Sequence, residues 1–218
     1  NEEKFLAQCL KSVKDATDEI IIVDTGSTDK TVEIAQSFGA KVYHHPWRNS
    51  FSEARNHSIG YAMCDWILQI DADEALEQSD VPRLHTLIQT HSHNVIYVAI
   101  YSDLPGGQAK HYFPRIFRRG KACFHGIVHN QLAFEGNALQ SEITFYHYGY
   151  NLPQTEMLKK YKRTGDLLRE QVAREPDNIF ALANLIRNYR NEYDFDKVIE
   201  LGEKGLSMPV PQTDVIFK

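Results

Sequence analysis

Three short apolar runs, each closed by a carboxylate or a turn and each followed by a stretch of helical period, constrain this chain more than any other feature. The first, residues 19–23, is dense enough in Ile and Val to predict a strand buried on both faces. It ends at Asp24-Thr25-Gly26-Ser27, a turn composition, and residues 28–38 resume a helical period. Residues 40–44 predict a second strand punctuated by Pro46, and residues 51–63 a helix. Residues 66–70 predict a third strand, which runs into carboxylates. Residues 81–90, with Pro82 in the first turn, predict a helix, and residues 95–101 a strand. Ahead of all these, Phe5, Leu6, Cys9, Leu10 and Val13 recur at helical spacing over residues 1–13, with Asn1 as the expected N-cap. Such alternation predicts an α/β sheet with parallel strands.

The pattern then changes. Gly106-Gly107 is a hairpin signal, residues 111–119 alternate like a strand, and residues 124–148 are aromatic-rich, short-stranded and turn-broken. This portion is expected to be antiparallel and to cover one end of the first sheet. From Pro153 onward the text is helical: residues 154–174, 179–189 and 195–206, broken by Glu175-Pro176-Asp177-Asn178. The last two, with Ala183 and Gly202 at the expected crossing, form a tetratricopeptide-like pair. The expected division is residues 1–152 and 153–218. A doubly wound sheet normally opens with a strand, so the helix at residues 1–13 suggests that a first strand is missing. A lone repeat cannot bury its apolar face, so further repeats are expected beyond Lys218.

Composition excludes several classes. A chain of 218 residues, 42% hydrophobic and 24% charged, suits one sizeable domain with an appendage rather than a disordered segment. A net charge of −5 gives no general electrostatic reason to bind nucleic acid. Cys9, Cys64 and Cys123 are scattered without metal-ligand spacing, which fits a reducing compartment. No apolar run reaches the ~18 residues needed to span a bilayer, so a cytoplasmic location is expected.

Chemistry concentrates where strands end. Ile67-Leu68-Gln69-Ile70-Asp71-Ala72-Asp73-Glu74 places two carboxylates at the carboxyl end of an apolar strand, where open α/β sheets bind ligands. Carboxylates there suit Mg²⁺ or Mn²⁺, which keep positions open for phosphate oxygens. They equally suit an acidic N-cap cluster for the next helix. Asp24 also closes a strand and can accept from the N–H of a base ring, while Thr28 or Asp29 can cap the helix that follows. In Trp47-Arg48-Asn49-Ser50-Phe51-Ser52-Glu53-Ala54-Arg55-Asn56, Arg55 is placed either to meet a phosphate or to lie on the surface.

Together these segments resemble family 2 glycosyltransferases with the GT-A fold, more narrowly the bacterial branch with C-terminal tetratricopeptide repeats. That branch includes bacteriocin S-glycosyltransferases and lipopolysaccharide-core transferases. The matching text is Asn-Glu-Glu at 1–3, VDTGSTDKTVEIA at 23–35, W-x-x-x-F-S-x-A-R-N at 47–56 and DWILQIDADE at 65–74. PRIFRR at 114–119, FHGIVHNQL at 124–132 and YHYGY at 146–150 continue it. The resemblance implies a mixed, mainly parallel sheet between helices, followed by a helical repeat. It implies a nucleotide-diphospho-sugar donor, UDP-linked, with Asp24 and Thr25 at the base, Arg55 on the nucleotide and Asp71 near the ribose or sugar. Asp73 and His147 would bind Mn²⁺ or Mg²⁺. It implies direct displacement with inversion onto an acceptor (peptide, protein or saccharide) bound over residues 113–131. It leaves room for a protein partner or self-association through the repeat.

One position departs from the pattern. Relatives carry His-Glu after FHG, with Glu as general base, whereas this chain reads Val128-His129-Asn130. An amide cannot take a proton from a hydroxyl. Either His129 or another group is the base, or the acceptor is a thiol, which ionises near ~8.5, or the domain is weakly active or inactive. In the last case it binds nucleotide while the repeat recruits a partner. A nucleotidyltransferase also uses carboxylate-bound Mg²⁺, but the Gly-rich phosphate loop usual near its start is not visible here.

Overall fold

The computed structural model describes residues 1–90, 92–104, 107–149 and 153–209. They form two compact units, Asn1–Gly126 with Asn130–Leu152, and Ile127–His129 with Pro153–Lys218.

In the first unit, helix α1 (Leu6–Val13) buries Leu6, Cys9, Leu10 and Val13, as the spacing predicts. It is shorter than expected, because Asn1 does not cap it. The Asn1 side-chain oxygen instead accepts from the Thr28 N–H at 2.7 Å, and the Phe5 and Leu6 N–H groups close a turn on the Glu2 carbonyl. Strands β1 (Ile21–Asp24) and β2 (Lys41–His44) pair in parallel, connected through α2 (Thr31–Ser37). Helix α3 (Phe51–Tyr61) begins at Ser50, whose hydroxyl accepts from the Glu53 N–H. Then follow β3 (Trp66–Leu68), β4 (Glu74–Leu76), α4 (Val81–Thr90), β5 (Val95–Leu104), β6 (Gly107–Arg118), β7 (Ala122–His125), β8 (Gln131–Phe134) and β9 (Ala138–His147).

The larger sheet has the order β3-β6-β5-β9-β4. Its β5–β9 ladder is parallel, while β3–β6, β5–β6 and β4–β9 are antiparallel. The sheet is therefore mixed, with antiparallel ladders outnumbering the expected parallel ones among the described residues. The cause is local: β6 folds straight back on β5, with Leu104 opposite Gly107, and the short β4 returns beside β9. Gly106 of the hairpin signal and Tyr150 of YHYGY lie outside the described residues, as does the expected boundary at Leu152. Ile96, Ile116, Ile143 and Phe145 fill the core beneath this sheet.

Among the described residues no ladder joins β1 to β3. The Ile20 and Asp24 carbonyls accept from β2 and His45, so Ile21 and Val23 turn their backbone groups the other way. On β3, Asp65 and Gln69 bond toward β6, so Trp66 and Leu68 face away from it. A cavity of about 800 Å³ lies along both strands. This is why the run predicted to be buried on both faces is only half-buried, apart from Asp24.

The second unit contains α5 (Gln154–Arg174), α6 (Ile179–Asn191) and α7 (Phe195–Ser207). Leu167, Leu168, Ala181, Leu182 and Leu185 are buried. Asn178 and Asp194 cap α6 and α7 by accepting from Ala181 and Lys197. At the expected crossing, a side chain at Gly202 would meet open space; Gly205 is the glycine that lies against Leu182.

Candidate active site

The carboxyl ends of β1 and β3 deliver Asp24 and Asp71, and Asp24, Thr25, Arg55 and Asp71 line the same cavity. Asp24 is 7% exposed. Burial acts to raise its pKa, but hydrogen bonds from Ser27, Gly26 and His44 outweigh this and hold it below the ordinary carboxylate range. Its oxygens accept from the Ser27 N–H at 3.1 Å and the Gly26 N–H at 3.2 Å, so part of the motif is a turn lock. Asp29 likewise accepts from the Thr31 N–H at 3.0 Å, near the start of α2.

Arg55 is carried by α3, and Asn56 fixes that helix to β7. Its amide donates to the Phe124 carbonyl at 2.9 Å and accepts from the Phe124 N–H at 2.8 Å. The Arg55 guanidinium lies 5.2 Å from the Phe124 ring centre. One arm donates to Asp71 Oδ1 at 2.5 Å and the other to Asn130 Oδ1 at 2.9 Å. Asn130 thus stands beside Arg55 with its amide oxygen engaged, and its buried Nδ2 has no partner among the described residues.

Asp71 is held from both sides. Oδ1 also accepts from Gln69 Nε2 at 3.0 Å, and Oδ2 accepts from Arg115 Nη2 at 2.9 Å. Burial acts to raise the Asp71 pKa, but the Arg115 and Arg55 charges overcome it and hold the carboxyl well below its usual range. Glu74 is 3% exposed. Burial pushes its pKa up, and the Arg115 charge offsets only part of that. Beneath these groups, Cys9 donates to the Asp71 carbonyl, and burial with the nearby carboxylates pushes its thiol up to about 12.

Asp73 faces a different partner. Its Oδ2 lies 3.1 Å from His147 Nε2, while His147 Nδ1 lies 3.4 Å from the Ser102 hydroxyl. The β4–β9 register, with Glu74 opposite His147, brings these two together. A Cβ at Gly149 would overlap the Asp73 carboxylate, so the backbone approaches closely there. Asp73, His147 and Asn130 are not among the residues lining the cavity. Among the described residues, no three His, Cys, Asp or Glu side chains converge as a metal cluster. A carboxylate oxygen and an imidazole nitrogen at this separation nevertheless suit a divalent cation such as Mn²⁺ or Mg²⁺.

His129 belongs to the second unit. It is exposed overall and has φ of 48°. Desolvation of its ring and the Arg187 charge lower its pKa below the ordinary histidine value. Gln69, Glu74 and Arg115 were not singled out from the sequence. Gln69 and Glu74 flank the carboxylate motif, but nothing in PRIFRR marks Arg115 apart from Arg118 and Arg119.

The glycosyl transferase family 2 model matches residues 1–161, and the chain belongs to that family. It is 33% identical over 188 residues to the SPbeta prophage-derived glycosyltransferase SunS of Bacillus subtilis, covering 82% of this chain and 44% of that protein. It is 29% identical over 231 residues to a TPR repeat-containing protein of Synechococcus elongatus, covering all of this chain and 57% of that one. The chain therefore spans about half the length of these relatives. In fold it is similar to S. aureus TarS residues 1–349, with a TM-score of 0.55 at 14% identity, covering 99% and 91% of the two chains. That protein has also been solved with UDP-GlcNAc. The mannosyltransferase PcManGT of Pyrobaculum calidifontis, solved with GDP-Man and Mn²⁺, has a TM-score of 0.50 at 12% identity, covering 97% and 74%. These structures support the GT-A fold.

Proposed function

We propose that this chain transfers a sugar from a UDP-sugar to an acceptor nucleophile, with inversion, at a divalent-metal site formed by Asp73 and His147. The observation that carries this reading is the 3.1 Å approach of His147 Nε2 to Asp73 Oδ2. Two residues far apart in sequence, Asp73 from the strand-end carboxylate motif and His147 from the family resemblance, meet through strand register. When bound there, Mn²⁺ or Mg²⁺ supplies positive charge that offsets the negative charge of the diphosphate.

The chain's own residues supply the rest. Asp24 and Thr25 accept from and position the base, Arg55 adds positive charge at the nucleotide, and Asp71 fixes Arg55 and faces the ribose or sugar. Asn130 accepts from Arg55 through Oδ1 but takes no proton, which favours an acceptor that ionises easily, such as a thiol near ~8.5. Tyr193, Phe195, Ile199 and Leu206 are exposed around and along α7. This supports a tetratricopeptide-like role for α6 and α7 in binding a partner or a second copy. Among the described residues no helix is long and apolar enough to cross a membrane.

Titration of UDP-glucose and other nucleotide sugars with Mn²⁺, followed by assay of released UDP, tests the reading. Metal-dependent UDP release supports it. Tight nucleotide binding with no release on any acceptor favours the non-catalytic reading that Asn130 suggests.

A further inference from the structure

Strand β6 breaks its register at one residue. It pairs with β5 as Val95–Phe117 and Ile96–Ile116, then resumes as Tyr97–Pro114, so Arg115 has no opposite number on β5. An extra residue of this kind is a β-bulge, which bends the strand and re-aims a side chain. Pro114, which has no N–H to donate, stands at the break. In a regular strand Arg115 and Ile116 would point to opposite faces. Here Arg115, Ile116 and Phe117 are 8%, 1% and 0% exposed, all three withdrawn from solvent.

The bulge brings the Arg115 guanidinium against three side chains. Nη1 donates to Gln69 Oε1, and Nη2 donates to both Asp71 and Glu74. A buried guanidinium is tolerated only with such anionic partners. With Asp71 Oδ2 taken by Arg115, Oδ1 turns toward Arg55. Arg55 lines the cavity and Arg115 does not.

We propose that Arg115 is a positioning residue for the sugar-nucleotide donor. It fixes the Asp71 carboxylate and, through Asp71, the Arg55 guanidinium, in the orientation that meets a nucleoside diphosphate, and it does not touch that ligand. This rests on the donor-site reading above. The competing role is structural only, with Arg115 neutralising buried Glu74.

A double-mutant cycle separates the two. Binding of UDP and of GDP, each with Mn²⁺, is measured by calorimetry for the wild type, Arg115→Lys, Arg55→Ala and the double variant, with melting followed in parallel. Lysine keeps the charge but cannot hold three acceptors in a fixed fork. The expected result is a cooperative melt for Arg115→Lys and nucleotide binding weakened by about tenfold, the usual scale for a supporting partner. In the Arg55→Ala background the same change should weaken binding by less than about twofold. Should Arg115→Lys not fold, Arg115→Met with Glu74→Gln removes the buried charges together and replaces it in the cycle. Unchanged nucleotide binding with a lowered melting temperature overturns the proposal, as do effects that multiply in the double variant. A wild type that binds neither nucleotide overturns the donor-site reading along with it.

Discussion

His147 Nε2 lies 3.1 Å from Asp73 Oδ2 although 74 positions separate the two residues. Both atoms are free of any covalent constraint to meet, so their convergence is set by the β4–β9 ladder and by Ser102 beneath the ring. On the metal reading, Asp73→Asn and His147→Ala should each cut metal-dependent transfer by about a hundredfold or more, the scale of losing charge stabilisation at a departing group. Chelation of the wild type should match either variant. Turnover by Asp73→Asn at the wild-type rate in Mn²⁺ would remove the metal role.

Gly149→Ala tests the same place from the backbone side. An added methyl would collide with the Asp73 carboxylate and crowd His147 Nε2. The expected outcome is Mn²⁺ affinity lowered by about tenfold or more, as for disturbed supporting contacts, with the fold retained by circular dichroism. Undiminished Mn²⁺ affinity would mean that Asp73 moves aside freely.

Asn130→Asp places a proton acceptor beside Arg55. If this position can act as a base toward water, donor hydrolysis should rise by about tenfold or more, within the usual range for general-base catalysis. Release of UDP in the absence of acceptor measures it. No rise would place acceptor activation elsewhere.

Glu19 gives a pH prediction. Its carboxylate accepts from the Met63 N–H, the Lys41 ammonium and the Cys64 N–H. The Met63 bond, ahead of the Lys41 contact, lowers its pKa from 4.5 to about 2. Between those values the unfolded chain binds more protons than the folded one, so stability is fully present above about pH 4.5 and is lost as pH falls toward 2. Glu19→Gln should flatten the fall of unfolding free energy with acid across that window. An unchanged slope would show that the contact does not persist in solution.

Where local pattern suffices, the chain was legible. Helices α4 and α5 lie where Pro82 and the Pro153 break put them, because start signals and apolar period agree. Asn1 departs from the expected N-cap because a cap signal marks only a suitable residue near a helix start, and this side chain accepts from the Thr28 N–H instead. Strand β4 is not legible in the sequence, because three residues after a carboxylate pair read as turn and cap. The individual residues of the candidate site were visible, but their partners were not. Asp71 with Arg115, Asp73 with His147 and Arg55 with Asn130 meet through ladder register and a bulge, which depend on the whole sheet. Arg115 in particular gains its position from one slipped pair on β5.

The two halves of the donor site are carried by different elements. On the reading proposed above, the base is gripped by one jaw (Asp24, on the small sheet) and the diphosphate by another (Arg55 and Asp71). The second jaw is itself braced: Arg55, Asp71 and Arg115 form one run of charge-assisted hydrogen bonds, so a displacement at any one of them is felt at the other two.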